Sequence, residues 1–432
     1  MDIEIDVNNV KLGMFVARLD RPWIGTPFRF QGFWVRNMEA IDNLKMYCST
    51  VWVRTDKKGQ PTDVEETGDV DWRDRVVRSD REARLVDYLP HKPVQHLDTV
   101  VVEEELDAAH LARRRLCDAL DEVVDDIKRD RKIAVAGLRE AVGGLADSVM
   151  RNPDACMWLR LVKNRDSYTY YHLLDTSALS IAFARHLGFS PAELSDIGLG
   201  AMLIDIGKLK LPADLLAKSD SLTPAEHQLV RKHVEYGVEL VQEAPGINKR
   251  ILEIVANHHE RYDGKGYPGG LAFRKIPPFA RMVAIADFFD AVTSDKSYAA
   301  GISPHDAMRK LYDEGDKAFQ RELVEQFIQC IGIYPTGSLV ELSTGEVGVI
   351  VGQNRVRRLK PRLMLILDAD KRPLDPFVDV DLMEQPGATD GRGVVSIRRS
   401  VEPEQFGIDP RQFYITAERI TPDILRNIAQ LM

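Results

Sequence analysis

Thiol groups are scarce in this sequence, and none of them lies close to another. Its four cysteines are Cys48, Cys117, Cys156 and Cys330, and no two of them form a C-x-x-C spacing. Disulfide frameworks and thiolate zinc sites both need clustered cysteines, so neither is expected here. A metal bound by this chain would have to be held by histidine and carboxylate side chains.

Long apolar runs and an excess of basic charge are also missing. No stretch approaches the roughly 18 apolar residues that a membrane-spanning helix needs, and the chain opens with acidic residues where a secretion signal would have basic ones. The 58 basic and 67 acidic residues are interleaved and give a net charge of -9, which argues against binding of a nucleic-acid polymer. We therefore expect a cytoplasmic protein without a membrane span.

The length of 432 residues exceeds what one ordinary core occupies, and the patterning changes along the chain. Alternating apolar residues with a short helical spacing open the sequence, a long helical section follows, and period-two alternation appears after Tyr334. The predicted segments are an α+β accessory domain at 1–60, a charged linker and long helix at 61–135, a helical domain at 136–334, and a β-rich extension at 335–432.

Two interpretations fit the long helix of the second segment. Its apolar residues Leu116, Leu120, Val123 and Ile127 repeat at intervals of four, three and four, which is typical of one apolar face. This face could dock on a partner or form a homodimer. The favoured interpretation is an ordinary amphipathic helix packed on its own domain.

Helix starts are unusually legible in the helical section. Three segments place a hydroxyl residue, a proline and an acid in the order of a capped first turn. They are Ser190-Pro191-Ala192-Glu193, Thr223-Pro224-Ala225-Glu226 and Ser303-Pro304-His305-Asp306.

The sequence has ten histidines, and four of those in the helical section form a patterned arrangement with two spaced aspartates. Taken singly, each histidine is more often an ordinary core or surface residue. Taken together, imidazole and carboxylate ligands suit Fe, Mn or Zn, and two metals bridged by a carboxylate are a known arrangement for phosphodiester hydrolysis. The candidate ligands are His172, Asp205, His233, His258, His259 and Asp287.

The adjacent pair His258-His259 begins a distinctive run. On a helix, neighbouring side chains point about 100° apart, but this pair precedes a glycine-rich stretch that cannot continue a helix. The run His258–Pro268, HHERYDGKGYP, resembles the HHExxDGxGYP signature of the HD-GYP family. The resemblance implies a mainly α fold, an HD-superfamily helical bundle, here flanked by the small α+β and β segments. It also implies metal-dependent hydrolysis of cyclic di-GMP to linear pGpG or GMP.

The resemblance assigns metal roles residue by residue. It implies a site for two divalent metals, with Fe or Mn favoured over Zn. Asp205 would bridge the two, His172 and Asp287 would hold one, and the other would be held by His233, His258 and His259.

The resemblance also assigns residues to catalysis and substrate. Lys208 would contact the scissile phosphate, and Asp290 would lie near the nucleophile. Lys296 stands where the family has a substrate-binding arginine. The loop that shapes the site, and that is implicated in contacts with diguanylate cyclase (GGDEF-type) domains, would comprise Gly264, Gly266, Tyr267 and Pro268.

Three positions depart from the family pattern. Ile204 replaces the histidine that names the HD pair, and Lys296 and Ala299 replace arginines. Isoleucine cannot bind a metal, so one metal position should be weaker than the other. The leading hypothesis is a cyclic di-GMP phosphodiesterase with reduced activity. The alternative is a degenerate family member that acts as a cyclic di-GMP sensor or a protein-interaction scaffold.

Overall fold

The computed structural model describes residues 2–11, 14–20, 33–35, 38–54, 93–160, 168–216, 218, 220–294, 301–355, 357–384 and 395–406. The chain divides into two compact units. The first comprises Met1–Arg84 with Asn354–Arg358, and the second comprises Leu85–Gln353 with Leu359–Met432.

The first unit contains a small antiparallel sheet and one helix. Its elements are β1 Asp2–Asp6, β2 Phe15–Leu19, β3 Phe33–Trp34, α1 Met38–Tyr47 and β4 Thr50–Arg54, with strand order β1-β4-β2-β3. Val16, Leu44, Val51 and Val53 are fully buried in its core. This confirms the predicted α+β segment. Strand β1 ends at Asp6, where the carboxylate accepts the Asn8 N–H and a 3₁₀ turn begins.

The second unit is mainly helical, as predicted. Its helices are α2 Val102–Lys128, α3 Ala136–Arg151, α4 Pro153–Leu159, α5 Tyr168–His186, α6 Pro191–Leu203, α7 Ala213–Leu216, α8 Pro224–Arg231, α9 His233–Val241, α10 Lys249–Asn257, α11 Pro278–Thr293, α12 Pro304–Asp313 and α13 Arg321–Ile331, with a 3₁₀ turn at Ile206–Lys210. The three predicted starts are confirmed at α6, α8 and α12. Ser190 and Thr223 form capping boxes with the glutamates three residues on, and the Ser303 hydroxyl accepts the Asp306 N–H.

Helix α2 packs on its own unit. Its apolar face is buried, with Leu116 and Leu120 at most 1% exposed, and it lies against α3 and α4. A short ion pair, Arg113 to Asp175 at 2.6 Å, also ties it to α5. The interpretation as an ordinary amphipathic helix is therefore confirmed, and the four predicted face residues are covered by the chain itself.

Residues 93–99, the described end of the predicted linker, are held against the helices. The Val94 N–H donates to the Gly188 carbonyl at 2.8 Å, and Arg185 pairs with Asp98 at 2.7 Å. Residues 61–92 of the predicted linker, and 55–60 of the predicted N-terminal domain, lie outside the described residues.

The C-terminal part of the second unit forms an antiparallel five-stranded sheet. Its strands are β5 Leu339–Leu342, β6 Val347–Gly352, β7 Arg362–Leu367, β8 Pro373–Asp381 and β9 Ile397–Ser400, in the order β8-β7-β6-β5-β9. This confirms the predicted β extension. None of the helices in the described ranges combines the length and apolar character needed to cross a membrane.

Close contact at Gly207 brings two parts of the helical unit together. A Cβ atom at this position would lie 1.9 Å from the His233 carbonyl oxygen and 2.4 Å from the Gly237 nitrogen. The 3₁₀ turn therefore lies directly on α9, with no room for a side chain between them. This contact places Asp205, just before the turn, beside His233.

Gly207→Ala is expected to lower the free energy of unfolding by about 1–3 kcal/mol or more, because backbone atoms must move to admit the methyl group. Gly143→Ala in α3 is the matched control, since its Cβ would meet nothing within 4 Å. It should raise stability by up to ~1 kcal/mol through helix propensity. Thermal and urea unfolding of both variants check this, and equal effects would refute the packing argument.

Candidate metal centre

Four predicted ligands converge at one point of the helical unit. Asp205 precedes the 3₁₀ turn, His233 begins α9, and His258 and His259 follow α10. Their ligand atoms all lie within 4.8 Å of one another. Nε2 of His233 is 3.5 Å from Nε2 of His258 and 3.4 Å from Oδ1 of Asp205.

Backbone carbonyls fix the tautomers of two of these histidines. Nδ1 of His233 lies 2.7 Å from the Val230 oxygen, and Nδ1 of His258 lies 2.9 Å from the Val255 oxygen. Each Nδ1 must carry the proton to donate these bonds, so in the neutral ring Nε2 is unprotonated. Two imidazole lone pairs and a carboxylate oxygen thus face a common point, an arrangement that a cation stabilises.

Burial sets the protonation states of this cluster. Desolvation lowers the pKa of His258 to about 4, and it also lowers the pKa of His233 and, strongly, that of His259. Burial opposes ionisation of Asp205, but the Lys208 ammonium and then His233 hold the pKa of this carboxyl well below its usual range. Near neutral pH the four groups are therefore in the forms that bind metals.

A second group of predicted ligands lies on the other side of Asp205. Nε2 of His172 is 3.0 Å from Oδ1 of Asp287 and 4.0 Å from Oδ2 of Asp205, while its Nδ1 lies 2.9 Å from Oδ2 of Asp290. Burial disfavours the charged ring, but hydrogen bonds to Asp287 and Asp290 outweigh it and raise the pKa of His172 to about 10. In this state His172 is an imidazolium that donates to both carboxylates.

The two sides of Asp205 are unequal. Oδ1 lies 3.4 Å from Nε2 of His233, whereas Oδ2 faces His172 and accepts from Nζ of Lys208 at 2.6 Å. This carboxylate lies between the two ligand groups, as a bridging role requires. Ile204, at the end of α6, is fully buried and adds only hydrocarbon.

The glycine-rich loop closes over the imidazoles. Gly264 has a positive φ of 79°, and a Cβ at Gly266 would lie 2.3 Å from the Arg261 nitrogen and 2.5 Å from the His259 oxygen. This tight turn places the Tyr267 ring against His259, with centroids 4.6 Å apart and planes 27° apart. Pro268 follows on the exposed side of the loop.

Asp290, which the family resemblance places near the nucleophile, lies against His172. It is fully buried, and its two carboxylate oxygens contact Nδ1 of His172 and Nη2 of Arg160, at 2.9 and 2.7 Å. This geometry favours orientation of His172 over contact with a reacting water. Lys296, one of the predicted substrate contacts, lies outside the described residues.

Two residues of the site, Glu260 and Arg160, were not predicted from the sequence. The Glu260 carboxylate accepts the N–H groups of Gly269 and Leu271 at 2.6 and 2.8 Å, and so ties the loop back to the histidine pair. Its signal was present, because Glu260 belongs to the HHE run. Arg160 precedes the motif by about a hundred residues and left no spacing signal.

Comparisons with known proteins agree with this architecture. The HD domain model matches residues 155–323, a domain of unknown function (DUF3391) matches 2–138, and the model of a KOW domain associated with HD domain matches 339–389. A cyclic di-GMP phosphodiesterase of Pseudomonas aeruginosa is 32% identical over 388 residues, which are 89% of this chain and 90% of that protein.

Two further relatives match a shorter part of the chain. A cyclic di-GMP phosphodiesterase of Thermotoga maritima is 35% identical over 39% of this chain and 46% of its own length. A 3'3'-cGAMP-specific phosphodiesterase of Vibrio cholerae is 32% identical over 39% of this chain and 32% of its own length.

Fold and site together define an HD-domain protein. The near full-length relationship and the HHERYDGKGYP run show that the chain belongs to the HD-GYP family.

The unequal protonation states lead to a pH-dependent prediction. A metal that binds between His233, His258 and His259 displaces no proton near neutral pH, whereas Nε2 of His172 must lose one. Affinity for a second Mn²⁺ should therefore rise roughly tenfold per pH unit between pH 6.5 and 8, while affinity for the first stays nearly constant.

Calorimetric titration of Mn²⁺ in two buffers of different ionisation enthalpy measures the protons released. About one proton is expected with the second equivalent and none with the first. Release with the first equivalent alone would contradict these protonation states.

Proposed function

We propose that this protein is a metal-dependent phosphodiesterase that hydrolyses cyclic di-GMP to linear pGpG or GMP. The observation that carries the proposal is the centre formed by three neutral imidazoles and the ionised Asp205, with the Lys208 ammonium beside it. The relatives from Pseudomonas aeruginosa and Thermotoga maritima, which bear the name of this activity, support the choice of substrate.

The donor set fits divalent metals of the Fe or Mn type, since it offers imidazole and carboxylate groups without thiolates. When bound, such ions polarise the phosphodiester and provide a nucleophilic water near neutral pH. His233, His258, His259 and Oδ1 of Asp205 would hold the tighter ion. The weaker position would rest on His172, Asp287 and Oδ2 of Asp205.

Lys208 is the residue best placed to meet the substrate. Its ammonium lies 2.6 Å from Asp205, and its side chain remains 32% exposed. A cation at this point can donate to a non-bridging phosphate oxygen and offset the charge that develops there during attack.

The loop from Gly264 to Pro268 would line the site and contact GGDEF-type domains. Its glycines allow the chain to fold back tightly, and Glu260 fixes its far end through two backbone N–H groups. Tyr267 faces the ligands, whereas Pro268 and Gly269 are exposed. The same loop therefore has a substrate-facing side and a solvent-facing side.

Ile204 supports a second candidate function, that of a cyclic di-GMP sensor or scaffold that binds without cleavage. A fully buried isoleucine stands at the position of the family's histidine ligand. If the weaker metal position stays empty in the cell, the substrate would bind at one metal and remain intact.

Lys208→Met should lower turnover of cyclic di-GMP by about 10²–10³-fold, as loss of one preorganised donor does in other enzymes. Lys210→Met is the matched control. Lys210 belongs to the same 3₁₀ turn but lies 3.7 Å from the exposed Asp130, so its loss should change turnover less than twofold. Steady-state kinetics with Mn²⁺ compare the two variants. Equal effects on turnover would show that Lys208 has no special role in contacting the substrate.

Ile204→His should increase both occupancy of the weaker metal position and turnover, because it supplies an additional imidazole next to Asp205. Ile204→Val controls for repacking of this buried position, and should leave both unchanged. Metal analysis and cyclic di-GMP turnover on the same samples check this. If the wild type and Ile204→His turn over cyclic di-GMP equally fast, the missing ligand does not limit the enzyme. If only Ile204→His cleaves cyclic di-GMP, the natural protein is better described as a sensor or scaffold.

A further inference from the structure

Arg160 contacts Asp290, the residue that binds the far side of the His172 ring. Its Nη2 lies 2.7 Å from Oδ1 of Asp290, with side-chain exposures of 11% and 0%. The guanidinium also lies 5.3 Å from the centroid of the Phe289 ring, and Nη2 lies 3.4 Å from the Thr293 hydroxyl. These three contacts hold the arginine against α11.

The ion pair continues to a predicted metal ligand. The other oxygen of Asp290 lies 2.9 Å from Nδ1 of His172, so the opposite nitrogen of that ring points toward Asp287 and Asp205. A carboxylate on one ring nitrogen of a metal-binding histidine sets the orientation of the other. A carboxylate can rotate, however, and Arg160 fixes this one by its second oxygen.

The backbone that carries Arg160 is itself anchored. Helix α4 is buried along its whole length, and the Asp154 carboxylate in its first turn accepts the Gln353 N–H at 2.8 Å and the Thr336 hydroxyl at 3.2 Å. Helix α4 is thus tied at one end to the chain flanking the β-sheet and at the other to Asp290. The guanidinium extends from a fixed position.

We propose that Arg160 is a positioning residue of the metal centre. Through Asp290 it holds the His172 ring so that Nε2 faces the weaker metal position. The inference rests on the proposed function in that it takes His172 as a metal ligand. Its test measures metal affinity, which does not depend on whether cyclic di-GMP is the substrate.

The experiment is titration of full-length Arg160→Met with Mn²⁺. Affinity for the second equivalent should fall about tenfold, the lower end of the effect of losing an outer partner of a ligand, while the first equivalent is unchanged. Arg185→Met is the matched control, because Arg185 is 6% exposed and pairs with Asp98 at 2.7 Å. It should leave both affinities unchanged. Arg160→Lys should recover part of the loss, since it keeps the charge without the planar fork.

A double-mutant cycle separates positioning from general damage. If Arg160 acts through Asp290, adding Arg160→Met to Asp290→Asn should cost no further affinity for the second Mn²⁺. Additive losses, a wild-type second affinity in Arg160→Met, or no second equivalent in the wild type would each overturn the proposal. If Arg160→Met fails to fold, Arg160→Lys replaces it in the cycle. Metal binding without cleavage of cyclic di-GMP would refute the proposed function. The measured Mn²⁺ affinities would still decide whether Arg160 positions His172.

Discussion

The buried carboxylate of Asp205 is the group on which the site depends. Burial of an unpaired carboxylate is costly, and here His233, Lys208 and His172 surround it at 3.4, 2.6 and 4.0 Å. The position of Asp205 follows from the close approach of the 3₁₀ turn to α9 at Gly207. The backbone contact between the 3₁₀ turn and α9 thus fixes the position of the Asp205 carboxylate among the other ligands.

The two sides of this carboxylate differ in chemistry. On one side, three neutral imidazoles gather, and two of them have tautomers fixed by backbone carbonyls. On the other, His172 is charged, is bound by two carboxylates, and faces Asp205 across a longer gap. Ile204 increases the difference, because it contributes no ligand. The proposed enzyme would therefore combine one preformed metal position with one that must displace a proton.

Local sequence signals predicted much of the fold. Capping residues such as Ser190 and Thr223 marked helix starts because they act on backbone groups a few residues away. The apolar repeat of α2 predicted a buried face, but periodicity alone could not name its partner. The linker prediction did not anticipate the Arg185–Asp98 pair, because long-range ion pairs leave no pattern in the chain.

For the site, too, the sequence predicted the residues but not their detailed contacts. The resemblance to the family was enough to identify the six predicted ligands, which lie close together in the structure. The sequence could not show which carboxylate oxygen faces which histidine. Asp290 was expected near the nucleophile, and its burial between His172 and Arg160 became visible only in three dimensions. Arg160 was missed because a single arginine far from the motif has no distinguishing context.

Metal content of protein purified without chelator, measured on the same sample as cyclic di-GMP turnover under Mn²⁺ or Fe²⁺ supplementation, tests the unequal centre most directly. The expected result is one tightly held ion, a second ion that appears only with added metal, and turnover that follows occupancy of the second position. Two ions of equal affinity, or turnover independent of added metal, would contradict it.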